Sequence, residues 1–409
     1  MEYVFLFITL YFQIFFLVTF LDNSHIFYGK KIKNTKDLND KFPLVSIIVP
    51  CWNEQDTVAS TIDSIRELEY PQSRIEIIIV DDGSQDDTWK EMQKLSKIDN
   101  IILIKKENGG KHTANNMGIE RATGEYIATI DADTCLEKDA LCMIVSEFNN
   151  DKSLDAVGST VLVKDPKSMV QYAQMVEYQM FSFTKMLLGI ISGVLVVPGA
   201  FSVYKKEVFE KIGLFKEAHK LEDLEITFRM QRHGMKVGQT HHAIAYTKGP
   251  DTIMKLWSQR KRWGSGFLRN SYDYKDMFFS KKNHNFGFFT LPMSLFTYLA
   301  IFVAFITTGF IVVKNLVQII LEVRLVGWEG LSNIFSGTSE FSINPGLLIY
   351  SVIFSAILFI IIFGKRLVGQ SSLNPFPVIL FLVFYSIFTP ILVIKNIYDS
   401  ITNANINWR

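Results

Sequence analysis

Four long stretches of the chain contain no charged residue, and they constrain the fold more than any other feature. They are Tyr3–Leu21, Gly287–Val313, Ile343–Phe363 and Leu367–Ile394, with 19, 27, 21 and 28 residues. A helix needs about 20 apolar residues to cross the hydrocarbon core of a bilayer. Each stretch therefore predicts a transmembrane helix. Four residues favour an interfacial or broken helix in part of the last stretch: Asn374, Pro375, Pro377 and Pro390.

The first stretch is predicted to be a retained anchor rather than a signal peptide. No positive residue precedes it, and no small-residue cleavage site follows it. It is followed by Lys30, Lys31, Lys33 and Lys36. Positive flanks remain on the cytosolic side, so the region after the anchor is expected to be cytosolic.

The sequence thus predicts three regions in a multi-pass protein of the plasma membrane. Residues 1–23 form the anchor, residues 24–286 form a cytosolic domain with interfacial helices, and residues 287–409 form a transmembrane region of about three helices.

The composition excludes several classes of protein. The chain is 48% hydrophobic, and 42 Lys and Arg almost balance 41 Asp and Glu. Disordered chains have fewer apolar residues and a charge excess. A net charge of +1 argues against a dedicated nucleic-acid binder, and three cysteines are too few for a disulfide scaffold. Free thiols agree with a reducing compartment.

The region after the anchor alternates between strand and helix patterns. Strands are predicted at Leu44–Val49, Ile75–Val80, Ile101–Ile104 and Tyr126–Ile130, and helices at Asp56–Leu68, Asp86–Leu95 and Lys111–Ala122. This alternation predicts an α/β fold with a mostly parallel sheet. Ligands of such sheets bind at the carboxyl ends of the strands.

Acidic clusters follow three of these strands. They are Pro50–Glu54, Asp81–Ser84 and Asp131–Asp133. Carboxylates crowded on one rim repel each other unless a cation or ligand neutralises them. The Asp131-Ala132-Asp133 pattern suits a divalent cation that also binds a diphosphate, because Mg²⁺ takes one or two carboxylates plus substrate phosphates.

The glycine-rich segment Asn108–Lys111 offers backbone amides and an ammonium to phosphate at a helix start. It does not match the P-loop pattern, and no G-x-G-x-x-G occurs, so a dinucleotide-binding fold has no support.

These segments resemble the nucleotide-sugar-binding half of family 2 glycosyltransferases, which have a GT-A fold. The strings that carry the resemblance are VSIIVPCWNE, IIIVDDGSQDDT and NGGKHTANNMGIERATGEYIATIDAD. Downstream, VPGAFSVYKKEVFEKIGLF resembles the acceptor-binding segment, and Leu221-Glu222-Asp223 stands where the family has Thr-Glu-Asp. Residues 259–263, Gln-Arg-Lys-Arg-Trp, match the Q-x-x-R-W motif of the membrane-bound processive members. Those members include synthases of hyaluronan, chitin, cellulose and poly-N-acetylglucosamine. The resemblance covers about residues 44–270.

The resemblance implies which residues bind the donor. Glu54 and Asp82 would contact its uridine part, and Lys111 would approach the uracil or the phosphates. Asp131 and Asp133 would hold the donor, with Asp133 the more direct ligand of Mg²⁺ or Mn²⁺. The expected fold is thus a GT-A domain inserted between transmembrane helices.

The resemblance also implies a catalytic and an acceptor group. Asp223, next to Glu222, would be the general base, and Leu221 in place of threonine removes one hydroxyl from this motif. The acceptor and diphosphate site would be lined by Gln259, Arg260, Arg262 and Trp263.

The chemistry needs groups of these types. Sugar transfer requires a stabilised diphosphate leaving group, which a metal ion and an arginine supply by charge neutralisation. It also requires a deprotonated acceptor hydroxyl, which a facing carboxylate supplies. A single in-line displacement inverts the anomeric carbon and gives a β-linked product from an α-linked donor.

Two further segments are predicted to lie along the membrane. Met169–Val197 is apolar with interspersed polar residues, and Asp251–Asn270 carries the basic motif. Together they would place the catalytic domain at the mouth of a channel formed by the membrane helices.

The sequence therefore predicts a membrane-embedded, inverting, processive β-glycosyltransferase that extends a polysaccharide from a UDP-sugar and helps to export it. The best candidate for the donor is UDP-N-acetylglucosamine. Its partners would be the UDP-sugar, the growing polysaccharide, membrane lipids and a small accessory membrane subunit. One alternative is a non-processive transferase that acts on a lipid-linked acceptor. Another is a non-catalytic membrane scaffold or translocation subunit.

Overall fold

The computed structural model describes residues 2–27, 42–327, 345–370 and 374–402. Within them, eight strands form one sheet in the order β3-β2-β1-β4-β7-β6-β8-β5. The strands are β1 (Val45–Cys51), β2 (Ile75–Asp82), β3 (Ile101–Lys106), β4 (Tyr126–Ile130), β5 (Thr134–Leu136), β6 (Leu154–Val163), β7 (Phe201–Lys205) and β8 (Lys236–Thr247). The four lysines that follow the predicted anchor lie outside the described residues.

Helices cover both faces of the sheet and continue beyond it. They are α1 (Glu2–Asp22), α2 (Ser24–Phe27), α3 (Val58–Arg66), α4 (Thr88–Leu95), α5 (Lys111–Arg121), α6 (Ala140–Asn150), α7 (Met169–Ile190), α8 (Lys206–Ile212), α9 (Glu222–Arg232), α10 (Ile253–Asp273), α11 (Leu291–Val326), α12 (Pro345–Leu367) and α13 (Phe376–Ile401).

The sheet is mixed, and most of its pairings among the described residues are parallel, as predicted. Strands β1 to β4 pair in parallel, and β6 pairs in parallel with β8. Strand β7 runs antiparallel to both β4 and β6, and β5 runs antiparallel to β8. These antiparallel pairings all involve β5 or β7, strands that the sequence did not predict.

Alternate residues of the central strand β1 belong to two hydrophobic cores, one on each face of the sheet. Ile47 packs with α3 and α6 on one face, and Ile48 packs with α5, α8 and α9 on the other. Both side chains are fully buried. A β-branched strand buried on both faces is typical of a sheet covered by helices on both sides.

The apolar stretches form helices that pack next to the α/β region. In α1, Phe20 packs against Phe183 of α7 and Phe363 of α12. The last predicted stretch is divided: α12 ends at Leu367, and α13 begins only at Phe376 and continues through Pro390. By length and composition, two described helical segments are apolar enough to cross a membrane, Phe286–Leu325 and Phe376–Ile401.

Helix α7 lies between the sheet and the apolar helices. It contacts β6 and β8 on one side and α12 and α13 on the other. Its start is fixed by a capping box in which the Ser168 side chain and the Gln171 side chain each accept a hydrogen bond from the other's backbone amide. It ends at Ile190, seven residues before the predicted end at Val197.

Candidate active site

The polar residues after β1 and β2 are joined in one loop layer. The Asn53 amide donates to Ser84 Oγ at 3.0 Å, and the Glu54 amide donates to Thr88 Oγ1 at 2.7 Å. The Glu54 carboxylate accepts from Thr57 Oγ1 at 2.6 Å. The carboxyl ends of neighbouring parallel strands therefore form a continuous polar rim, as the sequence predicted.

Asp82 holds the glycine-rich segment in place. Its carboxylate accepts hydrogen bonds from the amides of Gly109 at 3.0 Å and Gly110 at 2.8 Å, and from Lys106 Nζ at 2.5 Å. The side chain is nearly fully buried. Gly110 has a φ of +91° immediately before α5, a conformation that glycine adopts without strain. Asp82 thus sets the start of α5 and the position of Lys111.

The antiparallel pairing of β4 with β7 brings two distant motifs together. The Asp131 amide, which follows β4, donates to the carbonyl of Ala200, which precedes β7, at 3.2 Å. The neighbouring Gly199 amide donates to Asp223 Oδ2 at 3.1 Å. Asp131, the first residue of the D-x-D pattern, and Asp223, the predicted base, therefore both hydrogen-bond to the short segment formed by Gly199 and Ala200.

Lys111 connects the acidic groups. Its Nζ atom lies 2.5 Å from Asp131 Oδ1 and 3.3 Å from Glu222 Oε1. A Cβ atom on Gly199 would lie 3.0 Å from Asp223 Oδ2 and 3.1 Å from Lys111 Nζ. A side chain at this position would crowd both groups, so the ammonium or the carboxylate would have to shift by a few tenths of an ångström.

The charges around Asp223 and Glu222 shift their pKa values in opposite directions. Burial and the negative charge of Glu222 raise the pKa of Asp223, against the opposing charges of Lys111 and Arg262. For Glu222, burial also opposes ionisation, but Lys111 and Arg262 lower its pKa below the usual value. Two adjacent carboxyl groups with separated pKa values can divide the work, with Glu222 remaining ionised and Asp223 accepting a proton.

Lys111 remains a cation at this site. Burial by itself lowers the pKa of its ammonium, but the carboxylates of Asp131, Glu222 and Asp223 outweigh this effect and raise the pKa above its usual value. A fixed positive charge beside three carboxylates is suited to a diphosphate ligand.

Asp133 lies on the same rim, with Thr247 Oγ1 3.4 Å from its Oδ1 atom. Within the part of the chain that the structure describes, no three His, Cys, Asp or Glu side chains are grouped to hold a metal. Mg²⁺ usually takes one or two carboxylates together with substrate phosphates, and the role of Asp131 and Asp133 as its ligands remains a prediction.

The basic motif lies on α10, where Arg262 Nη1 donates to the carbonyl of Lys220 at 3.2 Å. This places its positive charge close enough to act on Glu222 and Asp223. Gln259 is half-buried on the same helix.

Arg260 and Trp263 of α10 contact each other directly. The Arg260 guanidinium lies 4.1 Å from the centre of the Trp263 ring, and the Arg260 side chain is 6% exposed. Arg260 Nη2 donates to Glu177 Oε2 of α7 at 2.5 Å. Trp263 therefore has a cation on one ring face before any sugar binds.

The segment before Glu222 has an unusual backbone. Ala218, His219 and Lys220 have φ values of 46°, 54° and 64°, which are left-handed and disfavoured for side-chain-bearing residues. Hydrogen bonds hold the turn: Asn270 Nδ2 donates to the Ala218 carbonyl at 3.0 Å, and His219 Nε2 lies 2.8 Å from Asp273 Oδ2. A cavity of about 840 Å³ is lined by this turn and by α10, and none of the predicted site residues lines it.

Part of the chain matches the model of a known protein family. A model of Glycosyl transferase family 2 matches residues 46–213, the part that carries β1 to β7 and Lys111, Asp131 and Asp133. Residues 46–213 therefore form a domain of glycosyltransferase family 2.

The chain is distantly related to poly-beta-1,6-N-acetyl-D-glucosamine synthases of this family. It is 27% identical over 290 residues to the synthase of Staphylococcus aureus (strain MSSA476), covering 69% of each chain. It is 30% identical over 224 residues to the synthase of Staphylococcus epidermidis, covering 54% of each chain.

The fold is also found in a solved glycosyltransferase. A mannosyltransferase from Pyrobaculum calidifontis, in complex with GDP-Man and Mn²⁺, aligns with a TM-score of 0.62 at 14% identity, covering 99% of this chain and 100% of that chain. This likeness shows an α/β, GT-A-like fold with a mixed sheet.

The sequence missed three residues of this glycosyltransferase that the structure brings to the site. The Gly199 amide donates to Asp223 Oδ2, and Glu177 binds Arg260. Lys185 of α7 is half-buried and close enough to Asp223 for that carboxylate to act on its pKa. Gly199 lies in a segment that carries the resemblance, but no role was assigned to it, and Glu177 and Lys185 belong to no motif.

Proposed function

We propose that the protein is a membrane-embedded, inverting β-glycosyltransferase that extends a polysaccharide from UDP-N-acetylglucosamine. The observation that carries this proposal is the convergence of Lys111, Asp131, Glu222 and Asp223 around Gly199. The choice of donor is supported by the relationship to the synthases named above, which are synthases of an N-acetylglucosamine polymer.

In the proposed reaction, an acceptor hydroxyl oxygen attacks the anomeric carbon of the donor. The new carbon–oxygen bond forms as the bond to the diphosphate oxygen breaks, and the nucleoside diphosphate leaves with that electron pair. The hydroxyl proton passes to the Asp223 carboxylate, whose raised pKa suits a general base. The Gly199 amide, which donates to Asp223 Oδ2, orients the carboxylate.

The donor would lie along the polar rim. Lys111 and Arg262 would face the diphosphate, while Glu54 and the loop held by Asp82 would contact the nucleoside. Asp133 and Asp131 would hold Mg²⁺ or Mn²⁺, which neutralises charge on the leaving diphosphate when bound. Gln259, Arg260 and Trp263 would face the acceptor.

The proposed site of action is the cytosolic face of the plasma membrane. Phe286–Leu325 and Phe376–Ile401 are the segments with the length and composition of membrane spans. Since α13 packs along α10 and α7, the acceptor side of the site adjoins these apolar helices. This adjacency supports processive extension with transfer of the product outward.

The proposal is tested with the full chain purified in detergent and reconstituted in proteoliposomes. Radiolabelled UDP-sugars are supplied singly with Mg²⁺ or Mn²⁺, and UDP release and product length are measured. We expect polymer from UDP-N-acetylglucosamine and none from the Asp223→Asn variant. The matched control is Asp63→Asn, an exposed carboxylate on α3.

Other outcomes would contradict specific parts. A product with a single sugar on a lipid would replace processive extension with the non-processive alternative. Full activity in Asp223→Asn would remove Asp223 as the base. Turnover of another UDP-sugar alone would change the donor.

A further inference from the structure

Glu177 joins three separate helices at the acceptor side of the site. Its Oε2 atom accepts a hydrogen bond from Arg260 Nη2 of α10 at 2.5 Å and another from the Tyr385 hydroxyl of α13 at 2.6 Å. Glu177 itself belongs to α7 and is 8% exposed. A buried carboxylate with two strong donors is fixed in position far more rigidly than a surface ion pair.

The ion pair determines the orientation of the Arg260 guanidinium. That group lies 4.1 Å from the centre of the Trp263 ring and 5.7 Å from the centre of the Tyr178 ring. A cation over an indole face is attracted by the ring quadrupole. The orientation of Trp263 therefore depends on Arg260, and that of Arg260 depends on Glu177 and Tyr385.

Two donors of Arg260 lack a well-aligned hydrogen bond within the described residues, although the side chains of Tyr178 and Tyr385 lie beside the guanidinium. Nε and Nη1 are buried without a hydrogen bond, while Nη2 is occupied by Glu177. Buried donors almost always have an acceptor from protein or water. Since Glu177 already balances the charge of Arg260, neutral oxygens such as water or sugar hydroxyls suit these donors better than a second anion.

A purely structural role explains this arrangement poorly. Replacing a buried ion pair by apolar residues of similar volume is often neutral or stabilising, so such a pair is weak evidence for stability. Here Arg260 lies over the ring of Trp263 in the same basic motif. Glu177 also binds Tyr385, which lies on the apolar helix α13.

We propose that Glu177 and Tyr385 are positioning residues for the acceptor: together they hold Arg260 against Trp263 and so link α13 to the acceptor-binding face. This inference rests on the proposed function. It adds two residues, on α7 and α13, to the motif residues of α10.

The experiment compares Glu177→Gln, Glu177→Ala and Tyr385→Phe with the unmodified chain in proteoliposomes. The KM for a short N-acetylglucosamine oligosaccharide acceptor is measured at saturating UDP-N-acetylglucosamine, and the KM for the donor is measured separately. We expect Glu177→Ala and Tyr385→Phe to raise the acceptor KM at least about tenfold, since small displacements of positioning groups have effects of this size. The donor KM should change less than about twofold. Glu177→Gln should recover part of the loss because its amide oxygen still accepts from both donors.

The matched control is Tyr70→Phe. It also removes a hydrogen-bonded tyrosine hydroxyl, from a buried residue whose partner is the Pro43 carbonyl before β1, at the opposite rim of the sheet. Its acceptor KM should match that of the unmodified chain. Equal changes in donor and acceptor KM in folded Tyr385→Phe protein, or none, would overturn the proposal.

A second readout keeps the inference separate from the proposed function. The fluorescence of Trp263 is obtained as the difference between each chain and the same chain with Trp263→Phe. If Glu177 and Tyr385 position Arg260, both Glu177→Ala and Tyr385→Phe change this difference spectrum, whereas Tyr70→Phe does not. Absence of sugar transfer by the unmodified chain would reject the proposed function but not the positioning role. An unchanged Trp263 difference spectrum in Glu177→Ala and Tyr385→Phe would reject the positioning role but not the proposed function.

Discussion

The Lys111 ammonium lies 2.5 Å from the Asp131 carboxylate and 3.3 Å from that of Glu222. One cation at the start of α5 thus connects Asp131 of the D-x-D pattern with Glu222, the neighbour of the predicted base Asp223. Because the same ammonium also acts on Asp223, its charge influences Asp131, Glu222 and Asp223 together.

Replacing Lys111 with methionine should reduce kcat/KM by about 10²–10³-fold, the usual cost of losing a preorganised charge at the reacting centre. Without the ammonium, three carboxylates face each other, and the diphosphate loses a cation. The rate of UDP release measures the effect. Lys90→Met is the control, since Lys90 is exposed and pairs only with Asp87 on the surface. Equal rates in both variants would show that Lys111 has no role in transfer.

Asp223→Asn should abolish transfer without destabilising the protein. Loss of a general base reduces the rate by about 10²–10⁴-fold. Burial raises the pKa of Asp223 in the folded state, so stability is lost as the pH rises from the unfolded pKa to this raised pKa, and the full cost is present above it. The neutral amide removes this cost, and the midpoint of thermal unfolding at pH 7 should be equal or higher. The difference should shrink as the pH falls and Asp223 becomes protonated. A lower midpoint at pH 7 would contradict this sign.

Lys185→Met should stabilise the protein at neutral pH. Burial lowers the pKa of Lys185 from 10.5 to about 8, although Asp223 opposes the shift. Because the unfolded chain binds this proton more tightly, the ammonium costs stability at pH values below about 8, and the cost declines between about 8 and 10.5. We expect the variant to unfold about 2–4 °C higher at pH 7. The advantage should disappear towards pH 10.5.

Lys97→Met is the control for the removal of Lys185, because Lys97 is an exposed residue after α4. It should show no pH-dependent difference in thermal unfolding. A constant advantage of Lys185→Met across the whole pH range would mean that the gain comes from packing rather than from the buried charge.

Gly199→Ala should impair transfer while leaving the fold intact. The added methyl group would lie 3.0 Å from Asp223 Oδ2 and 3.1 Å from Lys111 Nζ, so one of these groups must move. Displacing the base by a fraction of an ångström to 1 Å reduces the rate by about 10–100-fold. Gly309→Ala is the matched control, since a Cβ atom there meets nothing within 4 Å. Comparable kcat values for the two variants would show that the site has spare room.

The amino-terminal half of the fold could be predicted because its signals are local. The predicted strand at Tyr126–Ile130 is identical to β4, and the helix predicted at Lys111–Ala122 differs from α5 by one residue. Continuous β-branched runs and helical periodicity are readable from neighbouring residues. The antiparallel pairing of β7 was not predicted, because β7 has only five residues and its partners lie far away along the chain.

The centre of the site was predictable only where a motif exists. Lys111, Asp131 and Asp223 were named from patterns, and the structure brings them together. The donor and acceptor roles of the other named residues remain predictions. Glu177 could not be found in this way, because its partners Arg260 and Tyr385 are 83 and 208 residues away along the chain.

The position of α7 has a consequence for how this enzyme can be divided. One side of α7 carries buried contacts to the sheet, and the other carries Phe183 and Leu187, which pack against Phe20 and α12. Excising residues 42–286 as a water-soluble fragment would expose these side chains and leave Glu177 without Tyr385. The site and the apolar helices therefore share one folding unit, and a fusion or truncation that separates them should yield an aggregating, inactive product rather than a soluble transferase.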